Sequence, residues 1–244
     1  MDVIEFVSVA AVGTLVAAGM IYPVIRKKRH EGKWAAQNAE MLGFAPLDAD
    51  PILADDISNL YRIPGYRTRY ELRNMFHRDI PGGQMFLFDL IDVSDENDAV
   101  IERQAVAIKS SRLNMPRVTL YPRVEHSAWQ LAGRADAWMR LPFPVTRVDF
   151  PEFPTFASRY VVGTSEDSGD AHGFFEKPLI TYLAQTDSLV IRAAGALFTL
   201  SDNSANSNGV NAETVAGRVR NALNTFRELQ KGAQFDARLN RSEE

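Results

Sequence analysis

The chain contains no cysteine. That excludes disulfides, thiolate metal sites, iron–sulfur clusters and cysteine nucleophiles. Phosphate-cradling glycine loops are missing too: neither GxGxxG nor GxxxxGK followed by Ser or Thr occurs. No GxSxG nucleophile elbow exists, because Gly163-Thr164-Ser165 runs on to Glu166 and Asp167. Histidine is scarce, and His30, His77, His126 and His172 stand far apart with no zinc-protease spacing. The acidic run Asp92–Asp98 lacks the mid-loop Gly and distal Glu of a calcium loop, and reads as a solvated hairpin turn. Basic charge is not in excess: 27 Lys and Arg stand against 31 Asp and Glu, net −4, which argues against a general nucleic-acid binder. No cofactor or metal is expected, and no catalytic residue stands out.

What is present begins with an uncharged run. Phe6 to Ile25 is 20 residues without a charge. At about 1.5 Å per residue it spans roughly 30 Å, the hydrocarbon thickness of a bilayer. Tyr22 sits near one end, as an aromatic belt residue would. A cleaved signal peptide would carry a basic leader, whereas this leader holds Asp2 and Glu5. The expectation is an uncleaved anchor over residues 1–25. Within it Ala10, Thr14 and Ala18 recur every fourth residue, and Gly13 and Ala17 form a neighbouring pair. Small residues at that spacing let helices approach closely.

Arg26, Lys27, Lys28, Arg29 and Lys33 crowd the C-terminal flank. The positive-inside rule then puts the N-terminus outside a bacterial inner membrane and the remainder in the cytoplasm. The same collar attracts anionic lipid headgroups, at about 1 kcal/mol per residue. Beyond Lys33 there are 22 basic and 28 acidic residues, leaving that part at −6. The collar, not the domain, is therefore expected to hold the chain at the membrane surface.

Residues 26–43 read as a basic juxtamembrane helix: Trp34, Ala35, Asn38, Met41 and Leu42 share a face, and Gly43 is a stop. Residues 44–231 read as a cytoplasmic α+β domain. A helix is expected at Ile52–Leu60. From Tyr66 to Pro122 the apolar period becomes two. Tyr66, Thr68, Tyr70, Leu72, Asn74 and Phe76 alternate with Arg67, Arg69, Glu71, Arg73, Met75 and His77. Pro81-Gly82-Gly83 signals a turn. Further strands are expected at Met85–Val93, Ile101–Ser111, Val118–Tyr121, Val145–Phe150 and Ser158–Gly163. A helix is expected at Ala171–Gln185, limited in its first half by Pro178. Ser188–Ala194 and Ala196–Leu200 form an expected hairpin around Gly195. Ala212–Lys231 carries the stripe Val215, Val219, Leu223, Phe226 and Leu229. Residues 232–244 read as a flexible tail. The fold class is α+β: a transmembrane helix followed by a mainly antiparallel sheet with packed helices.

The run Phe156 to Gly163, then Glu166-Asp167, an apolar helix and a hairpin, carries a resemblance. So does Gln84-Met85-Phe86-Leu87-Phe88-Asp89-Leu90 after its glycine turn. The chain resembles a group of uncharacterised bacterial single-pass membrane-anchored proteins with a cytoplasmic α+β domain. The group is distantly similar to the mycobacterial trehalose monomycolate transport factor, a partner of a lipid transporter. The resemblance implies a non-enzymatic accessory subunit or scaffold that works by protein–protein interaction within an integral membrane protein complex.

One cluster invites a different reading. Arg62, Arg67, Arg69, Arg73 and Arg78 are interleaved with Tyr61, Tyr66, Tyr70 and Phe76. Arg67, Arg69 and Arg73 could grip phosphates of a lipid or other anionic ligand. The alternation favours an outward strand face whose arginines pair with surface acids.

Overall fold

Among the described residues the period-two stretch becomes strands of one nine-stranded sheet whose pairings are all antiparallel. The computed structural model describes residues 36–48, 50–62, 70–92, 101–123, 146–164, 168–186, 189–202 and 212–239. The chain divides into two compact units, Met1–Gly43 and Phe44–Glu244. The expected anchor, the collar residues Arg26, Lys27, Lys28, Arg29 and Lys33, and the acidic turn at 94–99 lie outside the described residues. Among the described residues no helix is long and apolar enough to cross a membrane. Of the first unit, helix α1 is described over 36–41 and stops where Gly43 takes φ 76°.

In the second unit the order is β1 (Ala45–Pro46), α2 (Pro51–Tyr61), β2 (Tyr70–Ile80), β3 (Gly83–Asp92), β4 (Ile101–Lys109), β5 (Met115–Pro122), β6 (Thr146–Val148), α3 (Pro154–Arg159), β7 (Tyr160–Thr164), α4 (Ser168–Phe174), α5 (Lys177–Gln185), β8 (Leu189–Gly195), β9 (Leu197–Asp202) and α6 (Ala212–Leu239). The sheet runs β1-β2-β3-β4-β9-β8-β5-β7-β6. The first four strands follow chain order. The β8–β9 hairpin then separates β4 from β5, although only residues 110–114 join those two in sequence.

Local chemistry explains the element ends. Asp50 caps α2 by accepting a bond from the Leu53 amide at 3.0 Å, and Pro51 opens the helix where no amide is needed. Gly82 takes φ 87° in the β2–β3 turn. At Gly83 an added Cβ would lie 2.6 Å from the Lys109 carbonyl, so only glycine lets β3 approach β4 there.

Register sorts the side chains onto two faces. Phe86, Phe88 and Leu90 of β3 lie on one face with Ala105 and Ala107 of β4 and Leu197 of β9. There they pack with Leu53, Ile57, Leu60 and Tyr61 of α2 in one core cluster. The opposite face holds Met85, Leu87, Val106, Ile108, Phe198 and Leu200, all buried. Helix α6 packs on that side: Val215, Val219, Ala222, Phe226 and Leu229 are buried, and Arg218 donates to Gln104 at 3.0 Å. β3 is thus apolar on both faces over Met85–Phe88, which is why that stretch reads as an apolar run up to Asp89.

Four expectations need correction. Asn74 adopts φ 48°, and a register shift between Arg73 and Phe76 marks a β-bulge. The extra residue reverses the alternation. Tyr70, Leu72 and Met75 join the α2 cluster, while Phe76 crosses to the opposite face beside Leu87. Ser158 and Arg159 close a short helix begun by Pro154, and β7 starts only at Tyr160. The helix expected over Ala171–Gln185 is two. Pro178 has no amide and its ring clashes with a carbonyl four residues back, so the chain restarts at Lys177. Finally, α6 continues to Leu239 instead of ending at Lys231.

Candidate functional site

After a register shift between Met115 and Val118, β5 alternates from Val118 to Pro122. Val118, Leu120 and Pro122 are buried on the α6 face, toward the aromatic group of Phe156, Tyr160 and Phe175. Arg117, Thr119 and Tyr121 stand on the α2 face. Helix α2 lies over β2, β8 and β9, so it covers only part of that face. Cross-strand register extends the row. Thr119 is opposite Arg192 of β8 on one side and Gly163 of β7 on the other. Gly163 is in turn opposite Arg147 of β6, and Tyr121 is opposite Val161. Arg123 follows just past the end of β5.

Exposure rises along this row. Arg192 is 4% exposed. Arg117 and Tyr121 are half-buried, and Arg123 and Arg147 are exposed. Arg192 lies over the Tyr61 ring, 4.7 Å from its centroid, and donates to the Leu60 carbonyl at 3.4 Å. Tyr61 donates to Thr199 at 3.0 Å and packs against Tyr70, ring centroids 5.7 Å apart. Burial pushes the Arg192 pKa down, Tyr61 and Tyr70 oppose that, and the nearby Arg117 adds to it. A guanidinium nevertheless stays protonated in any protein setting.

The outer arginines are held individually. Arg117 donates to the Asn59 carbonyl and Arg123 donates through Nε to the Ala157 carbonyl at 3.2 Å. Arg147 Nε meets Asp149 at 2.8 Å, both side chains largely in solvent. Burial raises the Tyr121 pKa above its ordinary 10.0, while Arg147 and Arg123 pull it the other way.

The arginines singled out in the sequence are differently placed. Arg67 and Arg69 lie outside the described residues, as do Ala10, Gly13, Thr14, Ala17 and Ala18. Arg73 is half-exposed on β2, ion-paired with Glu71 at 3.0 Å and opposite Asp89 in register. Arg78 covers the Phe44 ring at 4.9 Å. Arg62 is exposed beyond the end of α2. His172 stacks on Phe150, centroids 4.8 Å apart, and its Nε2 is 2.9 Å from Glu152. Among the described residues no three His, Asp or Glu side chains converge as a metal site.

Sequence reasoning passed over Arg117, Tyr121, Arg123, Arg147 and Arg192. The alternation Arg117-Val118-Thr119-Leu120-Tyr121-Pro122-Arg123 was the available signal. It gave no hint that Arg147 and Arg192, from distant segments, would line up beside it.

No protein-family model, curated protein or solved structure matches this chain.

Proposed function

We propose that the chain is a membrane-tethered, non-catalytic accessory subunit or scaffold of a bacterial inner-membrane complex, with its α+β unit on the cytoplasmic side. One observation carries the reading: the uncharged Phe6–Ile25 is followed at once by Arg26, Lys27, Lys28, Arg29 and Lys33, after an acidic leader. An apolar run of that length suits a bilayer span, and that charge asymmetry suits a cytoplasmic C-terminal side. The division of the chain after Gly43 is consistent with a tether followed by a separate module. The module's task is to present a surface to a membrane partner at high local concentration. The reading assigns it no cofactor and no reaction.

A reporter fused after Glu244 tests this in bacterial cells. A fusion active only in the cytoplasm, recovered with membranes after alkaline extraction, is the expected result. Activity on the outer side, or release into the soluble fraction, overturns the reading.

A further inference from the structure

We propose that the exposed end of the β5–β7–β6 face is a binding site for a phosphate-bearing anion, gripped by Arg123 and Arg147 with Tyr121 between them and Arg117 behind. Charge distribution is the first argument. The chain beyond Lys33 carries −6, yet this patch gathers four arginines, counting Arg192 at its buried end. Asp149 is the described carboxylate bonded to it. Three acids of α2, β2 and β3 are engaged elsewhere: Asp56 with Lys109, Glu71 with Arg73, and Asp89 with Asn74.

The second argument is how the arginines are held. Arg117 and Arg123 are each fixed by a main-chain carbonyl, a neutral acceptor that leaves the positive charge uncompensated. Each guanidinium has five N–H donors in a planar fork, so one anchoring bond orients the fork and leaves further donors for an oxyanion. Arg147 is committed to a carboxylate that is itself well exposed, a pairing of the weakly stabilising surface kind that an incoming dianion can displace. Tyr121 supplies a hydroxyl donor, protonated at neutral pH, on the same face. Charge-assisted, forked bonds of this type are the usual means by which proteins hold phosphate. The exposure gradient also suits a surface ligand: the outer arginines reach solvent while Arg192 and Arg117 set a positive floor. The inference does not depend on the tether and would stand without it.

The full chain in nonionic detergent micelles provides the test, titrated with inorganic pyrophosphate by calorimetry. Saturable binding that weakens as salt is added is expected. R123Q/R147Q should bind about tenfold more weakly or worse, the loss of two charge-assisted contacts. R73Q, on the other half of the sheet, should bind as the parent does. If R123Q/R147Q does not fold, R123K/R147K replaces it; it keeps the charge and loses the fork, and is expected to bind more weakly than the parent. A second arm dopes the micelles with phosphatidylglycerol. Competition with pyrophosphate identifies a lipid headgroup as the ligand source, and its absence identifies a free phosphate. No saturable binding in either arm overturns the proposal. So does equal weakening by R73Q, or lysine and glutamine variants that bind like the parent.

Discussion

One face of this sheet carries two chemistries. Along β3 and β4 it presents Phe86, Phe88, Leu90, Ala105 and Ala107 to α2. Along β5, β7 and β6 it presents Arg117, Thr119, Tyr121, Val161 and Arg147. The other face is mainly apolar, with Met85, Leu87, Val106, Ile108, Phe198 and Leu200 buried on the α6 side and Leu120 and Val162 buried toward the aromatic group around Phe156. The difference teaches where the unit keeps stability and where it can keep function. A strand apolar on both faces is committed to the core. A strand apolar on one face can carry charge on the other without loss to the fold.

The sharpest way to break this contrast is to hollow out the apolar half. Phe88 is fully buried in β3. Phe88→Ala should destabilise the unit by about 3–5 kcal/mol, read by denaturant unfolding followed with far-UV circular dichroism. A change below about 1 kcal/mol would mean that the α2 cluster is not tightly packed.

A smaller effect tests the bulge that turns Phe76 to the other face. Asn74 holds φ 48° and donates to Asp89 at 2.6 Å. Asn74→Val places a β-branched side chain in the left-handed region and should cost about 1–2 kcal/mol. Asn74→Gly relieves the backbone and loses only an exposed hydrogen bond, so it should stay within about 0.5 kcal/mol of the parent. Equal behaviour of the two in thermal unfolding would remove the bulge from the explanation.

The least effect is expected on the charged half, and it is a slope. Burial raises the Tyr121 pKa above 10.0 in the folded state. The folded form then retains a proton that the unfolded form releases. Its contribution is complete below pH 10 and is lost as pH rises through the higher folded value. Unfolding free energy above pH 10 should therefore fall more steeply for the parent than for Tyr121→Phe. Parallel curves would place Tyr121 in a more solvated setting.

Much of the fold was legible because its causes are local. The helix expected at Ile52–Leu60 is α2, Pro81-Gly82-Gly83 announces the β2–β3 turn, and Gly195 announces the last hairpin. The strand expected at Val118–Tyr121 forms the end of β5, which begins at Met115 and runs through Pro116. Other features were hidden because a local pattern has two physical outcomes. Tyr70 to Phe76 alternate in sequence, but one left-handed residue at Asn74 moves Phe76 across the sheet. Pro178 could open a helix as well as limit one, and here it opens α5. In α6 the stripe is right except at one turn, where Ala222 is buried and Leu223 is only half-buried.

The candidate site was the least legible part. Arg73 drew notice because it sits among arginines in sequence, yet it ends in an ion pair with Glu71. Arg147 and Arg192 stand alone in sequence and become neighbours of β5 through pairing.

By itself the sequence determined the α+β class, the turns, most strand and helix positions and the surplus of acid beyond the collar. These follow from side-chain period, backbone restriction at Gly and Pro, and composition, none of which needs a distant partner. Only the tertiary structure decided that the 189–202 hairpin separates β4 from β5, and hence that Arg192 and Arg147 flank Thr119 and Gly163. Antiparallel pairing satisfies backbone hydrogen bonds with any suitable strand. Which strand is chosen depends on the faces that helices α2 and α6 must cover, and that choice exists only in the folded chain.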